Sequence, residues 1–210
     1  MQQATSGDIT PNLNVSCLYK YFKINSEFPT VNNLLTLRFS SPSLMNDPFE
    51  FLIGEIEKIN KKQADNLIKK GYRLKKTVKG INQYFDAEQN SILKKQYECL
   101  NNHIRIICFS TENSNILMWS HYTNNHKGFV IEYDIEKIMQ RFSYEKHPIC
   151  LSPVQYSSDM PSIRNLIFLD ELERGEEMYK VICTKANNWN YENEWRMVIS
   201  DFSRKLKEEE

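Results

Sequence analysis

The alternation of apolar and polar positions divides the chain into stretches that favour sheet and stretches that favour helix. In CLYKYF, Leu18 and Lys20 alternate with Tyr19 and Tyr21, an aromatic-rich period of two that predicts a first strand. TLRFSS predicts a second strand after a short helical or loop segment at TVNNLL, and SPSLMNDPFE, with its Ser, Pro, Asn and Asp, marks an ordered turn. Over 53–100 the composition shifts toward Lys, Glu, Gln and Asn, and apolar residues such as Ile56, Ile59, Leu67 and Ile68 fall near helical spacing. This predicts a pair of helices inserted between sheet elements.

HIRIICFST is apolar at successive positions, as expected of a strand buried on both faces. Ser114 or Asn115 can cap a short helix through NILMWSHY. KGFVIEYD places Phe129, Ile131 and Tyr133 on one side of a further strand, and ICLSPVQYS reads as another. LIFLDELERGEEMYKVICTKAN reads as helix with a break at Gly175, and NEWRMVIS closes the pattern as a strand. The expected fold is a single α+β domain over 15–203, with a mixed, mostly antiparallel sheet and a helical insertion. It is flanked by a flexible polar arm over 1–14 and a solvated charged tail over 204–210.

Composition narrows the function classes. Lys plus Arg and Asp plus Glu each number 27, so no global field draws the protein to nucleic acid or a lipid surface. The first residues, MQQATSGDITPNLN, lack the basic start and apolar run of a secretory signal, and no apolar stretch approaches the roughly 18 residues needed to span a bilayer. The expectation is a cytoplasmic protein without a membrane partner. Five widely spaced cysteines suit reduced thiols better than a disulfide framework. Neither GxGxxG nor a P-loop is present, which removes the two glycine-rich phosphate cradles.

The last strand carries the sharpest chemistry. Alternation sends Trp195, Met197 and Ile199 to one face and Glu194, Arg196 and Val198 to the other, with Glu192 sharing the Glu194 face. Two carboxylates and an arginine at this spacing would concentrate charge in a cleft. The plainer reading is a sheet edge guarded by charges. Ser110 and Thr111 end the HIRIICFST strand, where hydroxyls bond either a ligand or the local backbone. Trp119 and Tyr122 share a helical face, with His121 beside it, as core or as a stacking surface. Asn46 and Asp47 precede Pro48 in a turn fixed by Asx bonding. The turn could form a pocket wall on which Asp47 or Glu50 orients a basic group. The spacings of His121, His126, Cys99, His103 and Cys108 match no paired zinc motif, and the Cys108 setting lacks what activates a thiol toward a His121 partner.

Taken together, LYKYF, LRFSSPSLMNDPFE, CFSTENSNILMWSHYTNNHKGFVIEYD, PVQYS and NWNYENEWRMV resemble a bacterial family catalogued as domain-of-unknown-function family 2971. The resemblance implies a cytoplasmic bacterial protein from toxin or phage-defence settings. The order of parts also resembles an ADP-ribosyltransferase. It runs from a basic residue on an early strand (Lys20, or Arg38 on the next) to a middle strand ending in hydroxyls (Ser110, Thr111) and followed by Tyr122. A late strand then opens with Glu192 and Glu194.

That resemblance implies an ADP-ribosyltransferase-like fold, NAD as substrate and no metal. Glu194 would bond the nicotinamide ribose, and Glu192 would orient an acceptor that is protein, nucleic acid or water. Trp119 or Tyr122 would stack on nicotinamide, and Lys20 or Arg38 would meet the pyrophosphate. Cleaving the bond between nicotinamide and ribose builds positive charge on the sugar, which one fixed carboxylate can stabilise by about 3 kcal/mol, roughly a hundredfold in rate. Two rivals stand beside this reading: a metal-dependent nuclease using Asp47, Glu50 and Glu132 with Lys127, and a non-catalytic module that binds a nucleotide or a partner chain.

Overall fold

The computed structural model of the protein describes residues 15–24, 37–69, 77–143, 149–164 and 169–200. In chain order its regular elements are β1 (Cys17–Phe22), β2 (Glu55–Ile56), α1 (Lys61–Lys69), α2 (Val78–His103), β3 (Ile104–Ser110), α3 (Ile116–Tyr122) and β4 (Phe129–Asp134). There follow α4 (Ile135–Ser143), β5 (Ile149–Pro153), β6 (Gln155–Ser157), β7 (Ser162–Ile163), α5 (Glu171–Ile182), β8 (Thr184–Ala186) and β9 (Glu194–Ser200). The expected arm, the TVNNLL segment, the first residues of the LIFLDEL stretch and the charged tail lie outside the described residues.

Strands β4, β1, β3, β9 and β5 form an antiparallel sheet in that order, and two short parallel pairs, β2 with β7 and β6 with β8, stand apart from it. The fold is α+β, mixed in strand direction and mostly antiparallel. Helices α1 and α2 occupy the expected insertion. Thr77 caps α2 by accepting the Gly80 amide, and α2 runs into β3 without a connecting loop.

The two faces of the sheet bury separate cores, as a period of two dictates. Ile104 and Ile106 of β3 pack with Leu100 of α2 and with Val181 and Ile182 of α5. Ile107 and Phe109, of opposite parity, pack with Leu18, Leu151, Met197 and Ile135 under α4. Among the described residues no helix is long and apolar enough to cross a membrane.

Several expectations change. TLRFSS forms no ladder among its described residues. Only Ser40 bridges β3, exchanging backbone bonds of 2.9 and 2.8 Å with Ile106. ICLSPVQYS is two strands, because the chain leaves the main sheet at buried Val154, whose amide donates to the Glu194 carbonyl at 2.9 Å. The next residue turns to β8, where the Gln155 amide meets the Cys183 carbonyl at 2.7 Å. Gly175 does not break α5; a Cβ there would meet nothing within 4 Å, so the helix simply exposes it. The last residues of that stretch, Thr184–Ala186, are strand rather than helix.

The turn after α3 explains TNNHKG. Asn124, Asn125 and His126 all adopt left-handed backbone, with φ of 54°, 57° and 64°, a conformation that Asn and His tolerate better than most residues. Gly128 then passes so close to β1 that a Cβ would lie 2.0 Å from the Phe22 carbonyl oxygen.

Candidate functional site

Strand β9 lies in the interior of the sheet, between β3 and β5. This overturns the guarded-edge reading of its charges. Glu194 and Arg196 project to the α5 side of the sheet and are 4% and 0% exposed. Burial at this depth demands partners, and they come from the distant MNDPFE turn and from the end of α5 and β8 just before the strand.

Arg196 Nε donates to Glu194 Oε1 at 2.7 Å, and Nη2 donates to Glu194 Oε2 at 3.2 Å and to Glu50 Oε1 at 3.0 Å. Its Nη1 donates to the Ile182 carbonyl at the end of α5. The Lys185 ammonium, on β8, stands among three carboxylates: Glu50 Oε1 at 2.9 Å, Glu192 Oε2 at 2.6 Å and Glu194 Oε2 at 2.9 Å. Trp189 covers it, with Nζ 4.9 Å from the ring centroid. Glu192 sits not on the strand but at the end of a 3-10 turn, Asn187–Glu192. It nevertheless reaches the same point because Asn193 turns in left-handed conformation between it and β9.

Glu192 Oε1 accepts from Tyr122 Oη at 2.5 Å, and Tyr122 in turn accepts from Asn46 Nδ2 at 2.7 Å. The MNDPFE turn, α3 and the YENEWR segment are thereby tied into one wall.

Three carboxylates against two cations leave this cluster one formal negative charge in excess. Burial raises the Glu192 pKa, so Glu192 is where a proton is most readily held. Burial also works to raise Glu194, but the Arg196 and Lys185 charges outweigh it and hold that carboxyl at about 2. Lys185 shows the same contest with the opposite sign: burial opposes its charge, and Glu194, Glu50 and Glu192 lift its pKa above the ordinary value. Burial pushes up the Tyr122 phenol, reinforced by Glu192.

The cluster forms the floor of a cleft of about 210 Å³. The cleft opens where β1 and β3 part. The two strands pair at Tyr19 and Ser110, while farther along β3 the same edge is taken by Ser40 at Ile106. Between these attachments the Cys108 carbonyl is met by Lys20, whose ammonium donates at 3.1 Å. Burial lowers the Lys20 pKa. Arg38 lines the same cleft. Among the described residues neither Lys20 nor Arg38 has a carboxylate within ion-pair distance.

The structure therefore brings together Lys20, Arg38, Asn46, Ser110, Tyr122, Glu192 and Glu194 as cleft-lining residues. The Ser110 hydroxyl is already engaged, donating to the Glu192 carbonyl at 2.6 Å and accepting the Glu112 amide at 2.9 Å. Thr111, Trp119, His121 and Asp47 do not line the cleft. The Thr111 amide bonds the Asn193 carbonyl at 3.2 Å, and Trp119 Nε1 bonds the Asn113 carbonyl at 2.8 Å while its ring meets Tyr21 edge-on. His121 is exposed and stands beside Trp189 and Tyr191, with ring centroids 6.3 and 6.4 Å away. Asp47 Oδ1 accepts the Phe49 amide at 2.9 Å, locking the turn as an Asx residue should.

The nuclease set does not assemble either. Glu50 is bound to two cations, and Glu132 faces Tyr19 across the β1–β4 ladder. Among the described residues no three His, Cys, Asp or Glu side chains are arranged to hold a metal. Cys108 points at Met45 sulfur, 4.0 Å away, rather than at His121, and burial keeps its thiol protonated.

Reading the residues in order missed Lys185, because the helical pattern of α5 was carried through it. The available cue was β-branched Thr184 just before the Asn187–Asn188 pair, which together mark a short strand and a turn. Tyr156, whose hydroxyl accepts the Glu194 amide at 2.8 Å, left no cue beyond its place in a strand.

Fold and site define an α+β protein whose central antiparallel sheet parts to form a cleft, with a buried, net-acidic charge cluster as its floor. Residues 118–197 match the family model described as Protein of unknown function (DUF2971). The matched stretch holds Tyr122, Lys185, Glu192, Glu194 and Arg196, while Glu50 and Lys20 lie before it. No curated protein and no solved structure matches the chain.

Proposed function

We propose that the cleft takes NAD and cleaves its nicotinamide–ribose bond, in the manner of an ADP-ribosyltransferase or an NAD glycohydrolase. The observation that carries this reading is the polarity of the cleft. Two basic side chains, Lys20 and Arg38, line it without carboxylate partners among the described residues, and a net-acidic cluster containing Glu192 and Glu194 forms its floor. A dinucleotide has the matching polarity, with an anionic pyrophosphate joined to a cationic pyridinium. At about 210 Å³ the cleft falls below the roughly 300–1,000 Å³ of sites that enclose a whole ligand. It fits the nicotinamide riboside end, leaving the rest of the dinucleotide over the mouth.

In the step itself the C–N bond breaks and nicotinamide leaves with the bonding pair as a neutral molecule. The ribose carbon, now carrying oxocarbenium charge, is captured by an oxygen or nitrogen of the acceptor, which gives up its proton. Glu194, held ionised by Arg196 and Lys185, supplies a preorganised negative charge. Glu192, whose affinity for a proton burial raises, is suited to accept the one the acceptor loses. The acceptor is protein, nucleic acid or water. The setting implied by the family resemblance is a bacterial toxin or phage-defence effector.

The test is nicotinamide release from NAD by purified protein, with and without cell lysate, comparing wild type with Glu194→Gln. Release that falls about a hundredfold in a folded variant supports the reading. No release from folded wild type under either condition rejects it. A second reading rests on its own observation: both Glu194 oxygens are occupied by protein cations. This suits a non-catalytic module that binds a nucleotide without turnover, and its mark would be saturable binding with NAD recovered intact.

A further inference from the structure

The three carboxylates of the cluster differ in how many acceptor positions they have left. Glu194 Oε1 takes Arg196 Nε, and its Oε2 takes Lys185 and Arg196 Nη2. Glu192 Oε1 takes the Tyr122 hydroxyl and its Oε2 takes Lys185. Glu50 Oε1 takes both Lys185 and Arg196, but Glu50 Oε2 is buried and receives no donor among the described residues. The residue is 5% exposed and lines the cleft. A buried carboxylate oxygen without a donor is a standing free-energy cost that a partner removes.

We infer that Glu50 is the residue that recognises the ligand's reacting end, accepting a hydrogen bond from the carboxamide N–H of nicotinamide at Oε2. This rests on the NAD reading above. The neighbours of Glu50 on the cleft wall narrow the choice of donor. Leu44 and Met45, from the same turn, line the cleft beside it and are apolar, so they suit the flat faces of a heteroaromatic ring. A ribose placed there would press hydroxyls against them. The terminal torsion of a glutamate is broad, so a modest rotation presents Oε2 to the cleft. A carboxamide nitrogen carries hydrogens and no acceptor lone pair, which is the complement of a carboxylate oxygen that lacks a donor.

The consequence is a specificity rule. Nicotinic acid adenine dinucleotide differs from NAD by a carboxylate in place of the carboxamide. It brings no donor to Glu50 and adds a like charge. Calorimetric titration of wild type with each dinucleotide is expected to show NAD bound about 10- to 100-fold more tightly than the acid analogue, the range that follows from losing one hydrogen bond to a charged group. In Glu50→Gln the side-chain amide can donate to the analogue, and the ratio is expected to fall to within about twofold. Glu177→Gln, outside the cleft lining, should keep the wild-type ratio.

Equal affinity of wild type for the two dinucleotides overturns the inference without any variant, so poor folding of Glu50→Gln would not leave it standing. An unchanged ratio in a folded Glu50→Gln also overturns it. Binding of neither dinucleotide to wild type overturns the NAD reading and this inference with it. Equal binding of both removes this inference alone.

Discussion

Two ion-pair networks in this protein look alike in composition and differ in what they leave over. In the first, around Glu177 of α5, the carboxylate is 0% exposed. Its Oε1 takes Arg164 Nε at 2.5 Å and Lys180 at 3.0 Å, and its Oε2 takes the Arg164 amide and Lys180 at 3.0 Å each. Every acceptor position of Glu177 is filled, Arg164 and Lys180 reach solvent, and none of the three lines the cleft. That network clamps the end of β7 to α5. In the second, around Lys185, three carboxylates again meet two cations, as Glu173, Glu176 and Glu177 meet Arg164 and Lys180 in the first, but one buried oxygen has no donor among the described residues, and Glu50, Lys185, Glu192 and Glu194 line a cleft. Buried charge alone therefore does not mark a site. Residual capacity does: an unfilled, buried acceptor beside a space that a ligand can enter.

The strongest way to sharpen this contrast is to remove the shared cation of the second network. Lys185→Met should destabilise the protein by about 3–5 kcal/mol, since it leaves buried carboxylates facing one another, and urea unfolding measures it. A loss below about 1 kcal/mol, the size expected of an exposed ion pair, would show the cluster to be far better solvated than its burial implies. Glu194→Gln keeps the shape and should cost activity, about 3 kcal/mol in the barrier, more than it costs stability. Glu177→Gln should do the reverse, losing about 1–3 kcal/mol of stability with catalysis unchanged. A crossed result, activity falling with Glu177 rather than Glu194, would break the comparison.

A further expected effect is in the acid limb of stability. Folding lowers the Glu194 pKa from its ordinary 4.5 to about 2, so its contribution is present above pH 4.5 and is lost as pH falls toward 2. Folding raises the Glu192 pKa, so Glu192 favours the fold at low pH and its contribution declines as pH rises above 4.5. Wild type should therefore lose more stability than Glu194→Gln between pH 4.5 and 2, measured by denaturant unfolding at fixed ionic strength. Parallel curves would show that Glu194 is not held ionised.

Much of the fold was legible because its signals are local. The alternation in CLYKYF, KGFVIEYD and NEWRMVIS and the apolar run in HIRIICFST each correspond to a strand, and Asn115 caps α3 by accepting the Leu117 and Met118 amides. What was not legible depends on partners distant in sequence. Ser40 has strand character only because β1 leaves the edge of β3 open. Thr184–Ala186 is three residues long, too short for a period to show, yet it delivers Lys185.

The site divides the same way. Glu192 and Glu194 stood out by spacing, although Glu192 reaches the cluster through a 3-10 turn rather than along the strand. Glu50 could be read as orienting a basic group. That the groups would be Lys185 and Arg196 follows only from tertiary contact.

Binding of NAD to the cleft is the point on which the account depends most directly. Equilibrium titration of folded wild type, Glu177→Gln and Glu194→Gln with NAD, each checked for its unfolding transition, tests it. The account predicts saturable binding by wild type and Glu177→Gln, and clear weakening in Glu194→Gln. Absence of binding to wild type, or affinity unchanged by Glu194→Gln, would contradict it and leave the Lys185 cluster as a second structural clamp.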